Sequence, residues 1–297
     1  MMPLSILLMA ISILIAVAFF TILERKFLSY SQIRKGPNKI SMLGMLQPIA
    51  DAMKLLTKSQ QNMESSNTDL SFYTPMLALL TSLIIFPIIP LSMYPLLDNN
   101  FNMILFLVIS SMMVYVLLSI GWSSNSKYSH MGAIRTVAQM ISYEISFFLL
   151  ALNIMLMAHS FNTTLMKHHQ SMLWFIMGMT PMFIVWIISC SAEVNRTPFD
   201  FAEGESELVS GFNVEYSGGH FALIFLAEYA SIILMSLLTS ILFCPLFIMP
   251  PMMALIFLWL RATLPRFRYD MLMNLNWKMF LPFTLLVITP MFTAAML

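Results

Sequence analysis

Eight apolar stretches constrain the fold of this sequence more than any other feature. Each is close to the length of about 20 residues that a helix needs to cross a hydrocarbon core of about 30 Å. Because such a core holds no water, the backbone of each stretch must satisfy its own hydrogen bonds, as a helix does. The stretches are residues 2–23, 70–93, 101–122, 133–158, 172–192, 220–242, 246–263 and 277–296.

The low content of charged residues supports a membrane location. Charged residues make up 10% of the chain and hydrophobic residues 59%, whereas about a quarter of a typical soluble domain is charged. The sequence therefore predicts an all-α integral membrane protein with a single membrane domain over residues 1–297. The sixth and seventh stretches have the weakest boundary, because residues 243–251 interrupt a continuous apolar run. We interpret this interruption as a very short turn between two spans.

The basic residues predict which side of the membrane each loop faces. Of the 15 Lys and Arg residues, 14 lie in or beside four connections, and only Lys167 lies on the opposite side. Basic residues accumulate on the inner side of a membrane, so these connections are predicted to face inward. With eight spans, both chain termini then face outward. The four inner connections are residues 24–69, 123–132, 193–219 and 264–276.

The first inner connection contains an amphipathic pattern. Apolar residues recur there at steps of three and four, which predicts a helix that lies in the membrane interface or against a partner. Pro48 favours a kink or a late start of this helix. A purely structural anchor would have the same pattern. The apolar positions are Leu43, Leu46, Ile49, Met53 and Leu56.

The third inner connection is strongly acidic. Six of the 14 acidic residues of the chain fall between positions 193 and 215, with Arg196 among them. Apolar residues such as Phe199, Phe201 and Phe212 are interleaved with them, and burying these aromatic rings also buries carboxylates. Crowded, partly desolvated carboxylates have raised and coupled pKa values, which suit proton transfer. The candidate proton-handling residues of this loop are Glu193, Asp200, Glu203, Glu205, Glu207 and Glu215.

A helix start offers another explanation for Asp200. The sequence from Thr197 to Asp200 fits a helix N-terminus with Thr197 as N-cap and a proline in the first turn. Capping does not explain Glu203 and Glu207, which would repel each other one turn apart on a solvated helix. Carboxylates that share protons escape this repulsion, so the pattern favours a proton relay.

Two further carboxylates lie inside predicted spans. At 1.5 Å per residue, Glu144 lies roughly 16 Å and Glu228 roughly 12 Å below the inner surface. An acidic side chain at such a depth indicates a functional site. Each is next to a tyrosine, Tyr143 or Tyr229, that could donate a hydrogen bond or relay a proton. The alternative is a neutral carboxyl group that joins helices by hydrogen bonds.

No metal site is predicted. The outer loop 159–171 contains three histidines but no acidic residue or cysteine, so we interpret it as a solvated loop. The two cysteines, Cys190 and Cys244, lie in apolar stretches, and two thiols are too few for an iron–sulfur cluster, which needs four protein ligands.

Several long motifs resemble a known family. The sequence is similar over nearly its whole length to the subunit 1 family of mitochondrial NADH dehydrogenase, the quinone-chamber membrane subunits of respiratory complex I. The motifs that carry the resemblance are Glu24–Lys26, Arg34–Asn38, Leu46–Asp51, Gly121–Tyr128, Ala192–Asp200, Glu203–Tyr216 and Pro265–Asp270.

The resemblance implies a fold and a division of labour. It implies an eight-helix subunit whose inner loops and first, fifth and sixth helices help to enclose a ubiquinone tunnel. Ubiquinone is then a substrate in a shared tunnel, and no cofactor is bound by this chain alone. NADH, FMN and iron–sulfur clusters belong to other subunits. The implied activity is H⁺-translocating NADH:ubiquinone reductase, with this chain as a subunit that has no redox centre of its own.

The resemblance also assigns roles to residues. It places seven residues around the tunnel and its entrance, although Arg25 and Arg34 also fit an anchoring role on lipid head groups. It extends the acidic pathway from the loop to Glu193, Glu144 and Glu228, with Tyr143 and Tyr229 beside it. The implied quinone-binding residues are Glu24, Arg25, Arg34, Asp51, Arg196, Phe212 and Arg266.

The implied partners and location follow from the same family. The partners are the hydrophilic quinone-site and terminal-cluster subunits of complex I, NADH dehydrogenase subunits 3 and 6, ubiquinone and membrane lipids, with no nucleic acid. The location is the mitochondrial inner membrane, with both termini on the intermembrane side. Charge changes in the tunnel would move protons among the buried carboxylates, and an electrostatic signal would pass to antiporter-like subunits.

Three alternatives remain open from the sequence. The chain could be a quinone-free relative in a membrane-bound hydrogenase-type complex, which quinone or inhibitor binding would distinguish. It could be a stand-alone ion or solute transporter, which predicts transport by the purified chain in liposomes. It could be a passive membrane anchor of the hydrophilic arm, which predicts that neutralising Glu144 or Glu228 leaves activity unchanged.

Overall fold

The regular elements of this chain are helices wherever the structure describes it. A computed structural model describes residues 2–59, 66–91, 95–201, 204 and 208–296, and the elements assigned within these ranges are α-helices, short 3-10 helices and one π-helix. The predicted all-α class is confirmed. The α-helices are α1 Met2–Ser31, α2 Gln47–Thr57, α3 Thr68–Ile85, α4 Asn102–Ser123, α5 Lys127–Ala158, α6 Thr163–His169, α7 Phe175–Gly178, α8 Thr180–Glu193, α9 Gly218–Phe243, α10 Met249–Thr263, α11 Tyr269–Leu275 and α12 Leu281–Met296.

Six helical segments among the described residues are long and apolar enough to cross a membrane. They are α1, α3, α4, α5, α9 and the run through α11 and α12, which the π-helix Asn276–Phe280 joins. The fifth and seventh predicted spans contain the shorter apolar helices α8 and α10. Whether these two helices cross the membrane stays a prediction.

Two breaks explain the shorter helices. Predicted span 172–192 is interrupted at Met179, whose backbone is not helical, and Pro181 then lies in the first turn of α8. Proline is well tolerated in a first turn because its missing N–H group has no helical partner there. The interruption expected in 243–251 is present, since α9 ends at Phe243 and α10 begins at Met249.

The inner connection 24–69 starts later than hydropathy indicated. The helix α1 continues to Ser31 instead of ending near residue 23, so Glu24 and Arg25 lie on a helix and not in a loop. Charged Glu, Arg and Lys side chains end a hydropathic span without ending a helix, because they are good helix formers. The amphipathic helix has the late start that Pro48 suggested: α2 begins at Gln47.

The core lies where α5, α8 and α9 meet. Trp186 of α8 stacks on Phe147 of α5 with ring centroids 4.4 Å apart, and Phe243 of α9 packs against the same indole at 5.9 Å. All three side chains are almost fully buried. Among the six long helical segments, α5 is the most buried: 56% of the residues in its apolar stretch are buried.

Candidate functional site

The acidic loop starts with turns and not with a helix. Residues 194–201 form turns and bends, and Asn195 adopts a left-handed backbone conformation with φ 54°. The predicted helix start at Thr197 is therefore wrong. Asp200, which would have capped it, lies 3.2 Å from the guanidinium of Arg266 instead. A long-range ion pair replaces the local capping interaction.

Gln139 holds the acidic loop from the α5 side. Its side-chain amide donates hydrogen bonds to the backbone oxygens of Ala192 at 2.9 Å and Phe199 at 3.0 Å. Gln139 is fully buried. Gln139 was not among the predicted residues, although a lone amide one helical turn before Tyr143 in an apolar span was a usable signal. Gln139 joins the end of α8 to the turn that follows it.

The connection before α11 holds the same loop from the other side. The backbone N–H of Phe267 donates to the Pro198 oxygen at 3.1 Å. The rings of Phe199 and Phe267 stack with centroids 5.5 Å apart, and Phe201 meets Tyr269 edge to face at 5.8 Å. Together with the Asp200–Arg266 pair, these contacts attach two inner connections to each other. The loop is a packed part of the protein along residues 194–201.

A cavity of about 60 Å³, here called the acidic cavity, lies behind this loop between α3, α4, α5 and α9. The carboxyl groups of Glu193 and Glu228 are among its linings, and Phe212 closes one side. Glu193 Oε2 and Asn195 Oδ1 are buried and have no hydrogen-bond partner among the described residues. The space is large enough for about two water molecules, although apolar side chains make up most of its lining. Its other polar linings are Ser82, Ser110 and Ser231.

Glu228 forms an ion pair at the edge of the acidic cavity. Its Oε2 lies 2.7 Å from Arg196 Nη2, and the two side chains are 16% and 11% exposed. The guanidinium also lies 4.8 Å from the ring centre of Tyr229 and 5.5 Å from that of Phe225. Removing one partner of such a buried pair leaves an uncompensated charge. Glu228 is therefore paired with a cation and is not merely a carboxyl group that joins helices.

Glu144 and Tyr143 point to different surroundings, as neighbours on a helix do. Glu144 is partly buried and lies within electrostatic range of Glu193. Tyr143 is fully buried on another side of α5, where its hydroxyl donates to the Leu272 oxygen at 3.3 Å. The structure thus places Glu144 near the acidic cavity and Tyr143 in the packing of α5 against α11.

Three predicted residues, Glu203, Glu205 and Glu207, lie outside the described residues. Glu215 is partly buried in the turn that leads to α9. Next to it, the Tyr216 hydroxyl forms hydrogen bonds with Ser123 at 2.7 Å and Thr74 at 3.3 Å. Burial raises the pKa of Tyr216, and these hydrogen bonds oppose the shift only in part. Tyr216 is therefore a neutral anchor of the loop, and the sequence analysis missed it.

The predicted quinone-binding residues fall into separate groups. Glu24 of α1 forms a buried ion pair with Arg261 of α10, and Arg261 was not predicted. Arg25 pairs with Asp51 of α2 at 2.6 Å, and Gln47 also donates to Asp51 at 2.9 Å. The first two pairs join α1 to α10 and α2.

The remaining predicted residues lie apart from α1. Arg34 is exposed after the end of α1. Phe212 lines the acidic cavity, Arg196 pairs with Glu228, and Arg266 pairs with Asp200. These three contacts place part of the predicted quinone set on the acidic loop.

Comparisons with known proteins identify the family of this chain. The family model described as NADH dehydrogenase matches residues 4–292. A protein of Emballonura alecto named NADH-ubiquinone oxidoreductase chain 1 is 49% identical over 295 residues, which cover 95% of this chain and 92% of that protein. Proteins with the same name from Aedes aegypti and Balaenoptera physalus are 49% and 47% identical, covering 94% and 96% of this chain and 91% and 94% of their own lengths. The chain therefore belongs to the NADH dehydrogenase family.

Proposed function

We propose that this chain is a core membrane subunit of proton-pumping NADH:ubiquinone oxidoreductase in the mitochondrial inner membrane. In this proposal it walls part of a ubiquinone tunnel and couples quinone reduction to proton translocation. The names of the similar proteins support the reaction class. The observation that carries the coupling role is the acidic cavity, which Glu193 and Glu228 both line.

The carboxyl groups of the acidic cavity are suited to proton uptake. Glu193 has one buried oxygen without a protein partner, beside space for water. The negative charge of Glu144 lies within range of it. Two nearby carboxylates disfavour double ionisation, so one proton is readily shared between them and moves when a neighbouring charge changes. A carboxyl group in contact with water can then pass this proton on.

The Arg196–Glu228 pair supplies a response to charge. Arg196 stands on the acidic loop, whereas Glu228 stands on α9. A new negative charge on a reduced quinone would compete with Glu228 for this guanidinium. The pair would then loosen, Glu228 would take up a proton, and the loop would shift. This sequence of events joins electron transfer in neighbouring subunits to proton movement in this chain.

The tunnel is proposed on the α1 side of the loop. The pairs Glu24–Arg261 and Arg25–Asp51 hold α1, α2 and α10 together there. The apolar face of α2 is exposed in this chain alone, at Ile49, Met53 and Leu56. Exposed apolar surface of this kind fits membrane lipid or partner subunits. We propose that the hydrophilic quinone-site and terminal-cluster subunits, with NADH dehydrogenase subunits 3 and 6, are neighbours, and that they or others carry FMN and the clusters.

Replacing Glu193 by Gln tests the coupling role in the assembled complex of a tractable relative with the same residues. Glutamine keeps the size of the side chain but cannot take up a proton. We expect quinone reduction and proton pumping to fall by about tenfold or more, because a proton-transfer group contributes about 100-fold or more and neighbouring carboxylates share the task. NADH oxidation with an artificial acceptor, which bypasses quinone, should stay normal.

Asp270→Asn is the matched control. Asp270 also pairs with an arginine, Arg268, at 3.2 Å, but both side chains are mostly exposed. Its neutralisation should leave quinone reduction and pumping near the parent values. If Glu193→Gln behaves like Asp270→Asn in a fully assembled complex, the chain is a passive anchor and the coupling role is wrong.

A further inference from the structure

A second, smaller cavity lies next to the Glu24–Arg261 pair. It has a volume of about 20 Å³ and lies between α1, α10 and the start of the acidic loop. A single water molecule needs about 10–15 Å³ of such space and two to four polar partners. Its polar linings include Glu24, Arg196, Thr197 and Arg261. The volume and the linings both fit one water molecule.

Two of the residues that line this cavity, Glu24 and Thr197, have a buried polar atom without a hydrogen-bond partner among the described residues. Glu24 is 3% exposed, and its Oε1 faces Arg261 while its Oε2 has no hydrogen-bond partner among the described residues. The hydroxyl oxygen of Thr197 is also buried, again with no partner in the described part of the chain. Buried polar atoms of native proteins are almost always hydrogen-bonded, to protein or to ordered water. Each of these two atoms therefore requires a partner that the described residues do not supply, and both residues line the same small cavity.

We infer that the small cavity binds one ordered water molecule that bridges the Glu24 carboxyl group and the Thr197 hydroxyl group. The water donates one hydrogen bond to Glu24 Oε2 and accepts one from Thr197 Oγ1. Arg261, which is held by Glu24, lies at the same cavity and offers further N–H donors. The water thus has the two to four partners that a buried site needs.

This water connects the Glu24–Arg261 ion pair to the loop that carries Arg196. Glu24–Arg261 connects α1 to α10, whereas Arg196–Glu228 connects the acidic loop to α9. Thr197 follows Arg196 directly, and Val194 lines both the small cavity and the acidic cavity. The bridge makes Glu24 the end of a polar route that runs past Arg196 and Glu228 to the acidic cavity. The role of this route in proton movement rests on the proposed function, but the water site itself does not.

The direct test is a structure of the intact complex of a relative with the same residues, at a resolution that shows ordered waters. We expect one density peak within hydrogen-bond distance of both Glu24 and Thr197. Thr197→Val keeps the side-chain shape but removes the hydroxyl group, so the peak should disappear. Thr197→Ser keeps the hydroxyl group, so the peak should remain. A parent structure that shows neighbouring buried waters but none here overturns the inference.

Activity measurements on the same two variants test the route. Thr197→Val should lower coupled quinone reduction several-fold, whereas Thr197→Ser should restore most of it. A merely structural role of Thr197 would lower activity equally in both. If both variants retain full activity while the density peak behaves as expected, the water site is confirmed and the proposed polar route is wrong. A silent Glu193→Gln variant would instead overturn the proposed function, without affecting the density peak.

Discussion

Single polar side chains on apolar helices determine how the acidic loop is held. Gln139 and Asn153 are both fully buried on α5, but their surroundings differ. The amide of Gln139 makes two hydrogen bonds to the loop backbone, whereas neither polar atom of Asn153 has a partner among the described residues. Replacing Gln139 removes two hydrogen bonds to the loop, whereas replacing Asn153 removes none to the loop. These two residues therefore form a natural pair for mutation.

Gln139→Met should loosen the acidic loop. The substitution removes the two hydrogen bonds that the Gln139 amide donates to the oxygens of Ala192 and Phe199. These oxygens then keep only backbone donors, among them the N–H groups of Asn195 and Phe201. Because each lost bond costs about 0.5–1.5 kcal/mol, we expect the local opening free energy of residues 194–201 to fall by about 1–3 kcal/mol. Hydrogen exchange of the assembled complex measures this change as faster exchange of these backbone amides.

Asn153→Leu is the control for that measurement. It removes no observed hydrogen bond and keeps a similar volume, so exchange in residues 194–201 should be unchanged. Equal acceleration by both substitutions would mean that any change in the interior of α5 loosens the loop, and that the bonds of Gln139 are not its cause.

At the scale of elements, the close crossing of α4 and α5 depends on a glycine. A Cβ atom on Gly121 would collide with Cβ of Ala133 and would lie 3.2 Å from the Ser129 oxygen. Gly132 of α5 meets the 3-10 segment Gly211–Asn213 in a similar way, since its Cβ would lie 3.0 Å from the Phe212 nitrogen. Small residues allow helix backbones to approach closely in membrane proteins. These contacts bring α4, α5 and the acidic loop to the same place.

Gly121→Ala should destabilise the complex. Overpacking of a tight contact costs about 1–3 kcal/mol, which we expect to appear as faster thermal inactivation and a lower yield of assembled complex. The double substitution with Ala133→Gly removes the colliding methyl group and should restore most of the loss.

Gly178→Ala is the matched control on α7. No atom lies within 4 Å of the Cβ position there, and alanine is a better helix former than glycine. Its thermal inactivation should equal that of the parent. A Gly121→Ala variant as stable as Gly178→Ala would show that α4 and α5 can separate without cost.

At the scale of the whole molecule, the number of membrane crossings decides which loops lie on the same side of the membrane. Eight crossings and inward-facing acidic residues stay predictions, because six helical segments of the described residues are long enough to cross a membrane, whereas α8 and α10 are short. If α8 and α10 did not cross, α9 would cross in the opposite direction. Its start would then lie on the outer side, and the turn between α9 and α10 would lie on the inner side. The turn between α9 and α10 therefore distinguishes the two arrangements.

Cysteine labelling at Phe247 measures this arrangement. Phe247 and Met172 are 92% and 91% exposed, and both native cysteines are buried and should not react. With eight crossings, Phe247→Cys and Met172→Cys should both react with an impermeant thiol reagent from the outer side. Met172 is outside in either arrangement and serves as the control. Labelling of Phe247→Cys from the inner side only would reject eight crossings.

Long-range pairs mark the limit of what the sequence could predict. The acidic loop could be proposed as a site because its residues are close in the chain, and Glu193 and Glu228 line one cavity in the structure. The partner of Glu228 was not predictable, since Arg196 lies 32 positions away. Gln139 contacts the loop across 53 and 60 positions. Hydropathy also ended α1 too early, because it measures transfer to lipid and not helix propensity.

The sequence by itself determined the all-α class, the clustering of acidic residues in one loop and the family resemblance. These properties depend on hydropathy, charge and motifs, all of which are local along the chain. Only the tertiary structure decided that Glu24 pairs with Arg261, that Asp200 pairs with Arg266 instead of capping a helix, and that two cavities flank Val194. The physical reason is that ion pairs and cavities depend on how helices distant in sequence pack. Their free energies depend on burial that no local pattern specifies.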